Sequence, residues 1–235
     1  MRGQVAIVTG AGRGIGHAIA TALAREGATV VLAARTRQQL AETAAIRESG
    51  GAALAIPTDV TQDAAVEAMV EQAIAELGRV DTLVTAAGAA SFGPVVGTKP
   101  GDWDAILAVN LRAVMVCCRA VLPVMIRQRR GTIINVASIA AQRAIPGAAV
   151  YTATKAGVVG FSRVLAEELR AEGVRVGVLV PGAVDTPLWD TIPNSPDRSR
   201  MLRPEDVARA AVLMASLPPG AALEELTLLP QGGIL

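Results

Sequence analysis

The chain is poor in aromatic residues, cysteine and histidine. Aromatic residues make up 2% of its 235 residues, and it contains two cysteines and one histidine. Cys117 and Cys118 are adjacent and cannot form an ordinary disulfide framework, so we expect two reduced thiols that pack as small apolar side chains. With one histidine and no cysteines at ligand spacing, the sequence predicts no metal site.

The sequence also lacks a strong net charge and a long apolar run. The net charge of +1 argues against a nucleic-acid partner, which would need a basic stripe on the surface. No run of about 18 apolar residues is present, so we expect no membrane span. The first residues, MRGQVAIVTG, lead directly into a strand pattern, which leaves no room for a signal peptide. We therefore expect a cytoplasmic protein.

Short apolar runs alternate with longer amphipathic segments along the whole chain. This alternation is typical of an α/β fold, in which crossover helices join the strands of a parallel sheet. The length suits a single domain over residues 1–235. The two longest helical patterns are Asp102–Arg127, with Asp102 as the predicted N-cap, and Ala148–Glu172. The predicted strands are Val5–Val8, Thr29–Ala33, Ala53–Ile56, Asp81–Thr85, Thr132–Val136, Val174–Val180 and Leu226–Leu229.

One irregular stretch, Asp185–Arg203, interrupts this alternation. It is polar and contains Pro187, Pro193 and Pro196. A long insertion late in a compact domain is usually functional, and an active-site lid is the favoured interpretation. A mobile surface loop is the alternative.

A glycine-rich turn, TGAGRGIG, follows the first predicted strand and precedes the first predicted helix. Glycines allow a tight turn and let backbone amides approach a pyrophosphate, while a helix N-terminus favours negative charge. Gly10, Gly14 and Gly16 are the residues that we assign to this role. Many strand-to-helix turns need glycine for other reasons, but the strand–turn–helix context strengthens the assignment to a dinucleotide.

The end of the second strand indicates which dinucleotide is bound. NAD enzymes typically place a carboxylate there to hold the ribose 2′-hydroxyl, whereas this chain has Ala34 and Arg35. Arg13 lies within the glycine turn itself. Two guanidinium groups near one ribose suit a 2′-phosphate, so the sequence predicts NADP(H). The alternative is that Arg35 simply begins the next helix in solvent.

A group of reactive side chains lies in the segment NVASIAAQRAIPGAAVYTATK. Tyr151 and Lys155 are four residues apart in a helical pattern and therefore share one face. An ammonium at that range lowers the pKa of a phenol, so Tyr151 becomes a usable proton donor or acceptor. Ser138 follows the fifth strand, at the carboxyl edge where ligands bind, and its hydroxyl is placed to hydrogen-bond the substrate oxygen.

The glycine turn, Ser138, the Tyr-x-x-x-Lys pair and the turn PGAVDT (Pro181–Thr186) together resemble the short-chain dehydrogenase/reductase family over essentially the whole chain. The resemblance implies a three-layer Rossmann fold, with a doubly wound seven-stranded parallel sheet flanked by helices. It implies an oxidoreductase of the compact NADP-preferring branch, with Arg13 and Arg35 at the NADP-selecting positions. It also implies a homotetramer or homodimer built on the two long helices.

The same resemblance assigns further roles. Asn110 would complete a catalytic tetrad with Ser138, Tyr151 and Lys155 by holding a water that relays protons to Lys155; the alternative is a satisfied polar group in a helix. Asp59 and Val60 would contact adenine, and Thr186 the nicotinamide carboxamide. The full predicted cofactor set is Gly10, Arg13, Gly14, Ile15, Gly16, Arg35, Asp59, Val60, Ala87, Gly88, Tyr151, Lys155, Pro181, Gly182, Val184 and Thr186.

Two departures from the family pattern stand out. The family usually has Asn-Asn-Ala-Gly after the fourth strand, and this chain has Thr85-Ala86-Ala87-Gly88. The first Asn is thought to brace the sheet, so we expect a small structural effect and no loss of chemistry. The C-terminal LPPGAALEELTLLPQGGIL lacks the common Tyr-Ile-Thr-Gly stretch and resembles a subset of small carbonyl and hydroxy-amino-acid reductases.

We therefore predict an NADP-dependent carbonyl reductase, with a hydrophobic ketone or aldehyde as substrate. A 3-oxoacyl-carrier-protein reductase is the alternative within the family. A non-catalytic cofactor sensor would represent a different class, and a nucleotide-sugar epimerase or dehydratase of the same superfamily is a second rival. The predicted substrate residues are Ser138, Ala140, Ile145, Tyr151, Leu188 and Trp189, together with Ser91 and Phe92 after the fourth strand.

Overall fold

The computed structural model of the protein describes residues 1–36, 52–90, 92–192 and 195–234. Within them, one sheet has the strand order β3-β2-β1-β4-β5-β6-β7 when strands are numbered along the chain, and every pairing is parallel. The apolar runs of the sequence therefore become strands with little change in their bounds. The strands are β1 Val5–Thr9, β2 Thr29–Ala34, β3 Ala52–Pro57, β4 Thr82–Thr85, β5 Gly131–Val136, β6 Val174–Pro181 and β7 Glu225–Leu228.

Helices cover both faces of the sheet. On one face the core contains Ile19, Leu23 and Met214, and on the other it contains Met69 and Val121. The predicted three-layer, doubly wound Rossmann fold is thus confirmed. The helices are α1 Gly14–Arg25, α2 Asp63–Leu77, α3 Pro100–Leu107, α4 Ala113–Gln128, α5 Ala149–Leu169 and α6 Pro204–Ser216, with short 3₁₀ turns at Val95–Gly97, Ile139–Ala141, Arg170–Glu172, Pro187–Thr191 and Arg198–Arg200.

The strand order reverses between β1 and β4. The chain runs outward from β1 through β2 to β3, returns to pair β4 beside β1, and then runs outward in the other direction. Thr9, the last residue of β1, is aligned with Ala33 of β2 and Thr85 of β4. In such sheets a crevice opens at the carboxyl ends of the strands where the order reverses, and ligands bind there. The loops after β1 and β4 therefore define the candidate site.

The first long helical pattern is divided into three parts. It begins at Pro100 with Lys99 as the N-cap, so the prediction of Asp102 as N-cap is wrong. Proline is favoured in the first helical position because its missing N–H needs no partner there, and Asp102 instead occupies the first turn. A π-helical turn, Ala108–Arg112, separates α3 from α4.

The combined segment Pro100–Gln128 is long and apolar enough, by length and composition, to cross a membrane. Cys117, Cys118, Val121 and Met125 are nevertheless buried beneath the sheet. The apolar composition of this segment is partly explained by that packing, as in a core helix. Burial also raises the pKa of the Cys117 thiol to about 12, so this thiol behaves as an apolar group.

Candidate active site

The glycine turn after β1 brings two backbone segments closer together than any side chain would permit. A Cβ on Gly16 would lie 2.3 Å from the Gly10 carbonyl oxygen, and a Cβ on Gly10 would lie 2.8 Å from the Cα of Ala87. Gly10 also has a φ of +67°, which favours glycine. The turn therefore packs directly against the loop after β4 and leads into the N-terminus of α1. This is the cradle that a pyrophosphate needs.

Thr9 holds the two loops together. Its hydroxyl oxygen accepts hydrogen bonds from the backbone N–H groups of Ala86 and Ala87, at 3.2 and 3.3 Å. On the other side, the N–H of Ala11 donates to the Ala33 carbonyl at 3.2 Å. Sequence reasoning assigned no role to Thr9, although its position directly before the first glycine was the available signal.

The residues predicted to select the cofactor lie at the same edge. Arg13 precedes α1, and Arg35 follows β2; both are exposed. Asp59 follows β3, and its Oδ1 accepts hydrogen bonds from the N–H and the hydroxyl of Thr61. These bonds, with a smaller contribution from the charge of Arg35, hold the pKa of Asp59 below its usual value. Asp59 is therefore a carboxylate acceptor near the charge of Arg35, in the loop that follows β3.

The turn after β6 closes the other side of the cradle. Pro181 ends β6, Gly182 donates its N–H to Leu228 at 2.8 Å, and Val184 forms a β-bridge with Leu202. A Cβ on Gly14 would lie 3.2 Å from the Thr186 side chain. Thr186 thus lies directly against the glycine turn.

Ser138, Tyr151 and Lys155 come together at the carboxyl end of β5. Ser138 caps the 3₁₀ turn that follows the strand, and its Oγ accepts the N–H of Ala140 at 3.2 Å. Tyr151 and Lys155 lie on one face of α5, with the Lys155 Nζ 5.8 Å from the centroid of the tyrosine ring. The Nζ also donates to the Val136 carbonyl at 3.0 Å, which fixes the buried ammonium beside the site.

The electrostatics of this pair differ from the prediction. Burial raises the pKa of Tyr151, and hydrogen bonding to Ser138 lowers it by less. Burial also lowers the pKa of Lys155 to about 8. The predicted lowering of the tyrosine pKa by Lys155 is therefore wrong for this arrangement, because the loss of solvation is the largest influence on the phenol. The phenol is protonated at neutral pH.

Asn110 lies in the π-helical turn and is fully buried. Its Oδ1 accepts the N–H of Ala89 at 2.9 Å, and its Nδ2 donates to the Ala89 carbonyl at 2.8 Å and to the Thr154 hydroxyl at 3.3 Å. Thr154 in turn donates to the Tyr151 carbonyl at 2.7 Å. Sequence reasoning missed Thr154, which links Asn110 to the helix of the reactive tyrosine.

Gly88 follows Ala87 in the loop after β4 and lies directly below these groups. A Cβ there would lie 3.2 Å from the Asn110 Oδ1 and 3.8 Å from the Lys155 Nζ. The cradle and the reactive side chains are therefore continuous within one crevice.

Apolar side chains surround Tyr151 on the outer side. The Phe92 ring lies 6.1 Å from that of Tyr151 and 6.1 Å from that of Trp189, measured between centroids. Trp189 and Leu188 lie in a 3₁₀ turn of the predicted lid, and both are half-buried. The remaining predicted substrate residues are Ala140, which is buried next to Ser138, Ile145, which is half-buried in the loop before α5, and Ser91, which lies outside the described residues.

Thr85, which stands where the family usually has Asn, makes a buried side-chain hydrogen bond of its own. Its hydroxyl donates to the Asn135 Oδ1 at 2.7 Å, and the Asn135 Nδ2 donates to the Ser162 hydroxyl at 2.9 Å. The Cys118 thiol also contacts the Asn135 Oδ1, at 3.6 Å. All four side chains are buried. Thr85 therefore braces the sheet through Asn135, linking β4, β5, α4 and α5.

A doubly wound sheet with a glycine cradle at its reversal point, and a protonated tyrosine beside a buried lysine, defines a dinucleotide-binding oxidoreductase. The family model for short chain dehydrogenase matches residues 4–197. The chain belongs to the short-chain dehydrogenase/reductase family, as the sequence motifs predicted.

Several known proteins are similar over nearly the whole chain. A 3-oxoacyl-(acyl-carrier-protein) reductase of Synechocystis is 36% identical, covering 99% of this chain and 97% of its own. A metagenomic short-chain oxidoreductase in complex with NADP is 39% identical, covers 98% of this chain and 99% of its own, and superposes with a TM-score of 0.87. An alcohol dehydrogenase from Thermococcus sibiricus, complexed with 5-hydroxy-NADP, is 32% identical, covers 96% and 95%, and has a TM-score of 0.87.

Proposed function

We propose that the protein is an NADP(H)-dependent carbonyl reductase that reduces an apolar ketone or aldehyde to the alcohol, with Tyr151 as the proton donor. The observation that carries the proposal is the position of Tyr151 beside Ser138 and Lys155, in the same crevice as the glycine cradle. A protein that only sensed a dinucleotide would need the cradle but not this group of side chains.

The chain has a suitable site for a phosphorylated dinucleotide. Gly10, Gly14 and Gly16 give a pyrophosphate access to backbone N–H groups at the start of α1. Arg13 and Arg35 would take the 2′-phosphate, since exposed guanidinium groups suit bidentate phosphate binding. The two neighbours of known structure named above, bound to NADP and 5-hydroxy-NADP, support this choice. When bound, NADPH supplies the hydride.

The remaining cofactor residues are assigned by their positions along the crevice. Ala87 and Gly88 line its floor, and Thr186 holds the nicotinamide end. Asp59 accepts from the adenine amino group, beside Val60. The other residues of the proposed cofactor site are Ile15, Pro181, Gly182, Val184, Tyr151 and Lys155.

The side chains of the protein bind the carbonyl oxygen and supply its proton. Ser138 donates a hydrogen bond to the substrate oxygen, which stabilises the negative charge that develops there. The Tyr151 hydroxyl then transfers its proton to that oxygen. Lys155 stands near the resulting tyrosinate and stabilises it as an ammonium. Asn110 is held in place by Ala89 and Thr154. From this fixed position it supports the resupply of protons to Lys155.

The pKa directions favour reduction at neutral pH. Because the pKa of Tyr151 is raised, the phenol carries the proton that it must donate. Because the pKa of Lys155 is lowered to about 8, the ammonium persists only below that pH. We expect carbonyl reduction to decline above about pH 8, and alcohol oxidation, which needs tyrosinate, to rise with pH.

The direct test is NADPH oxidation with a panel of ketones and aldehydes, for the unmodified protein and for Tyr151→Phe. The variant should lose turnover by roughly a hundredfold to ten-thousandfold, while NADPH binding, followed by cofactor fluorescence, stays within about twofold. Turnover near that of the unmodified protein would reject Tyr151 as the proton donor. Cofactor binding without turnover of any carbonyl would favour a sensor.

A 3-oxoacyl-carrier-protein reductase is the second candidate, because the relative of that name aligns over almost the entire chain. The two functions differ in their substrate. A clear preference for a 3-oxoacyl thioester over simple apolar ketones, measured as kcat/KM, would replace the carbonyl-reductase proposal with this one.

We also propose a cytoplasmic homotetramer or homodimer built on the two long helices. Leu107 and Met115 on the first, and Val164 on the second, are apolar and exposed. Burying them across a two-fold axis would remove this surface from water. Light scattering during size exclusion tests the assembly, and a strict monomer would contradict it.

A further inference from the structure

Three of the five aromatic residues of the chain meet around the proposed reactive centre. The sequence has two phenylalanines, two tryptophans and one tyrosine, and Phe92, Tyr151 and Trp189 form one continuous group. The Phe92 and Trp189 rings are nearly parallel, with an interplanar angle of 17°. Among the described residues, the fully buried apolar side chains are Ala, Val, Leu, Ile, Met and Cys, and none is aromatic. The concentration of rings at one place therefore needs an explanation other than core packing.

Backbone contacts hold the Trp189 ring and the loop that carries Phe92. Trp189 donates its indole N–H to the Val184 carbonyl at 2.9 Å, so the polar edge of the ring is satisfied. The residue after Phe92, Gly93, donates its N–H to the Gly147 carbonyl at 2.8 Å. This bond ties the loop that carries Phe92 to the loop that leads into α5 and Tyr151.

Ion pairs fasten the segment that carries Trp189. Arg198 pairs with Asp185 and with Asp190, which lie on either side of the tryptophan in the sequence. The short 3₁₀ turn is thereby bound at both ends to the later part of the lid. Trp189 is presented from a fastened turn, although the segment is poor in regular structure.

Phe92 is 37% exposed, so a substantial part of this aromatic side chain, next to the Tyr151 ring, is in contact with solvent. We propose that Phe92 and Trp189 form an aromatic wall, defined by these two rings, that selects carbonyl substrates with an aryl group attached to the carbonyl carbon. The proposal rests on the carbonyl-reductase function proposed above. A flat aryl group can stack on such rings or meet their edges, an interaction that a saturated ring of the same size does not make. The neighbouring Leu188 adds an apolar contact and no charge.

The test compares acetophenone with methyl cyclohexyl ketone, which differ in the aromaticity of one six-membered ring. Phe92→Leu and Trp189→Leu should each lower the ratio of kcat/KM for the aryl ketone to kcat/KM for the saturated ketone, by roughly threefold to tenfold. Trp189→Phe keeps an aromatic face and should retain most of the ratio. Phe161→Leu is the matched control, because Phe161 is the other phenylalanine and packs against the core; its ratio should not change.

A binding measurement separates the wall from turnover. In the Trp103→Phe variant, Trp189 is the one tryptophan left, and we expect acetophenone to quench its fluorescence in the NADP⁺-loaded protein, where no reduction can occur. In Trp189→Phe, Trp103 is the one tryptophan left. Quenching of its fluorescence by acetophenone should be weaker by a factor of about three or more, because the aromatic pair with Trp189 is lost.

The possible results have distinct meanings. If no ketone is reduced, the proposed function fails, while the fluorescence comparison still decides whether the wall binds an aryl group. If ketones are reduced but the aryl preference is the same in Phe92→Leu, Trp189→Leu and the unmodified protein, the wall is rejected and the proposed function stands. Equal quenching of Trp189 and Trp103 would also overturn the wall.

Discussion

The side-chain amide of Asn110 is hydrogen-bonded to the hydroxyl of Thr154, 3.3 Å away, and this hydroxyl donates to the backbone carbonyl of Tyr151. The π-helical turn and α5 are therefore joined directly behind the proposed proton donor. Thr154 is fully buried, and its hydroxyl contacts Asn110 and the Tyr151 backbone. It acts as a positioning residue.

Thr154→Val removes the hydroxyl with little change in shape. We expect kcat for ketone reduction to fall roughly fivefold to tenfold, the value of a lost hydrogen bond, with KM for the ketone nearly unchanged. Thr154→Ser keeps the hydroxyl and should restore most of kcat. Steady-state kinetics at several pH values provide the measurement. Equal losses in both variants would instead indicate a packing role.

Lys155 makes the stability of the protein depend on pH. Its pKa falls from 10.5 in the unfolded chain to about 8 in the folded protein, so the unfolded state binds more protons between these values and stability rises with pH there. Relative to Lys155→Met, the free energy of unfolding of the native chain should increase by up to about 2 kcal/mol from about pH 8 to about pH 9.5. Urea unfolding across this range checks the prediction. A constant difference between the two proteins would refute it.

Gly16 cannot accommodate a side chain. A Cβ there would meet the Gly10 carbonyl oxygen at 2.3 Å, so Gly16→Ala must displace the cradle. We expect a loss of roughly 1–3 kcal/mol in stability and at least roughly tenfold weaker NADPH binding, which a lost hydrogen bond to a charged group would give. Thermal unfolding and cofactor titration measure the two effects.

Gly160→Ala is the control for this substitution. Gly160 lies within α5 and has open space around its Cα. Alanine is the better helix former by roughly 1 kcal/mol, so Gly160→Ala should leave NADPH binding intact and should not destabilise the protein. If Gly16→Ala also left NADPH binding and stability unchanged, the close approach of Gly16 to the Gly10 carbonyl would not matter for function.

Arg35→Asp reverses the charge at the proposed 2′-phosphate position. We expect the ratio of kcat/KM for NADPH to that for NADH to fall roughly tenfold to a hundredfold, because a charge-assisted hydrogen bond is lost and a repulsion is added. Arg25→Asp, an exposed arginine at the far end of α1, provides the control and should leave the ratio unchanged. An unaltered ratio in Arg35→Asp would remove Arg35 from the cofactor site.

The fold was largely predictable from the sequence because strands covered on both faces must be nearly continuous in apolar residues. Val174–Val180, for example, was predicted one residue shorter than the observed β6. The glycine turn was also predictable, since its spacing and its context are both local. Helix ends were harder to predict from the sequence. The helix begins at Pro100, because proline is also favoured in the first helical position, and Asp102 therefore lies in the first turn and not at the N-cap.

Contacts between distant segments were not predictable in the same way. Thr85 was identified as a departure, but its partner Asn135 lies 50 positions away, and no local pattern connects them. The same holds for Asn110 and Thr154, 44 positions apart. The pKa of Tyr151 was misjudged because helical spacing reports proximity to Lys155 but not how far each group is removed from solvent.

The π-helical turn Ala108–Arg112 means that the long helical segment contains one residue more than a regular α-helix of the same rise would need. A deletion of one residue in this turn would allow uniform i→i+4 hydrogen bonding and would keep α3 and α4 in phase, because the widened π-turn absorbs its extra residue. The narrower turn would no longer hold the Asn110 side chain in line with Ala89. The number of residues in this turn is therefore constrained by the position that Asn110 must keep. Homologues of this protein should tolerate substitutions in the turn far better than insertions or deletions.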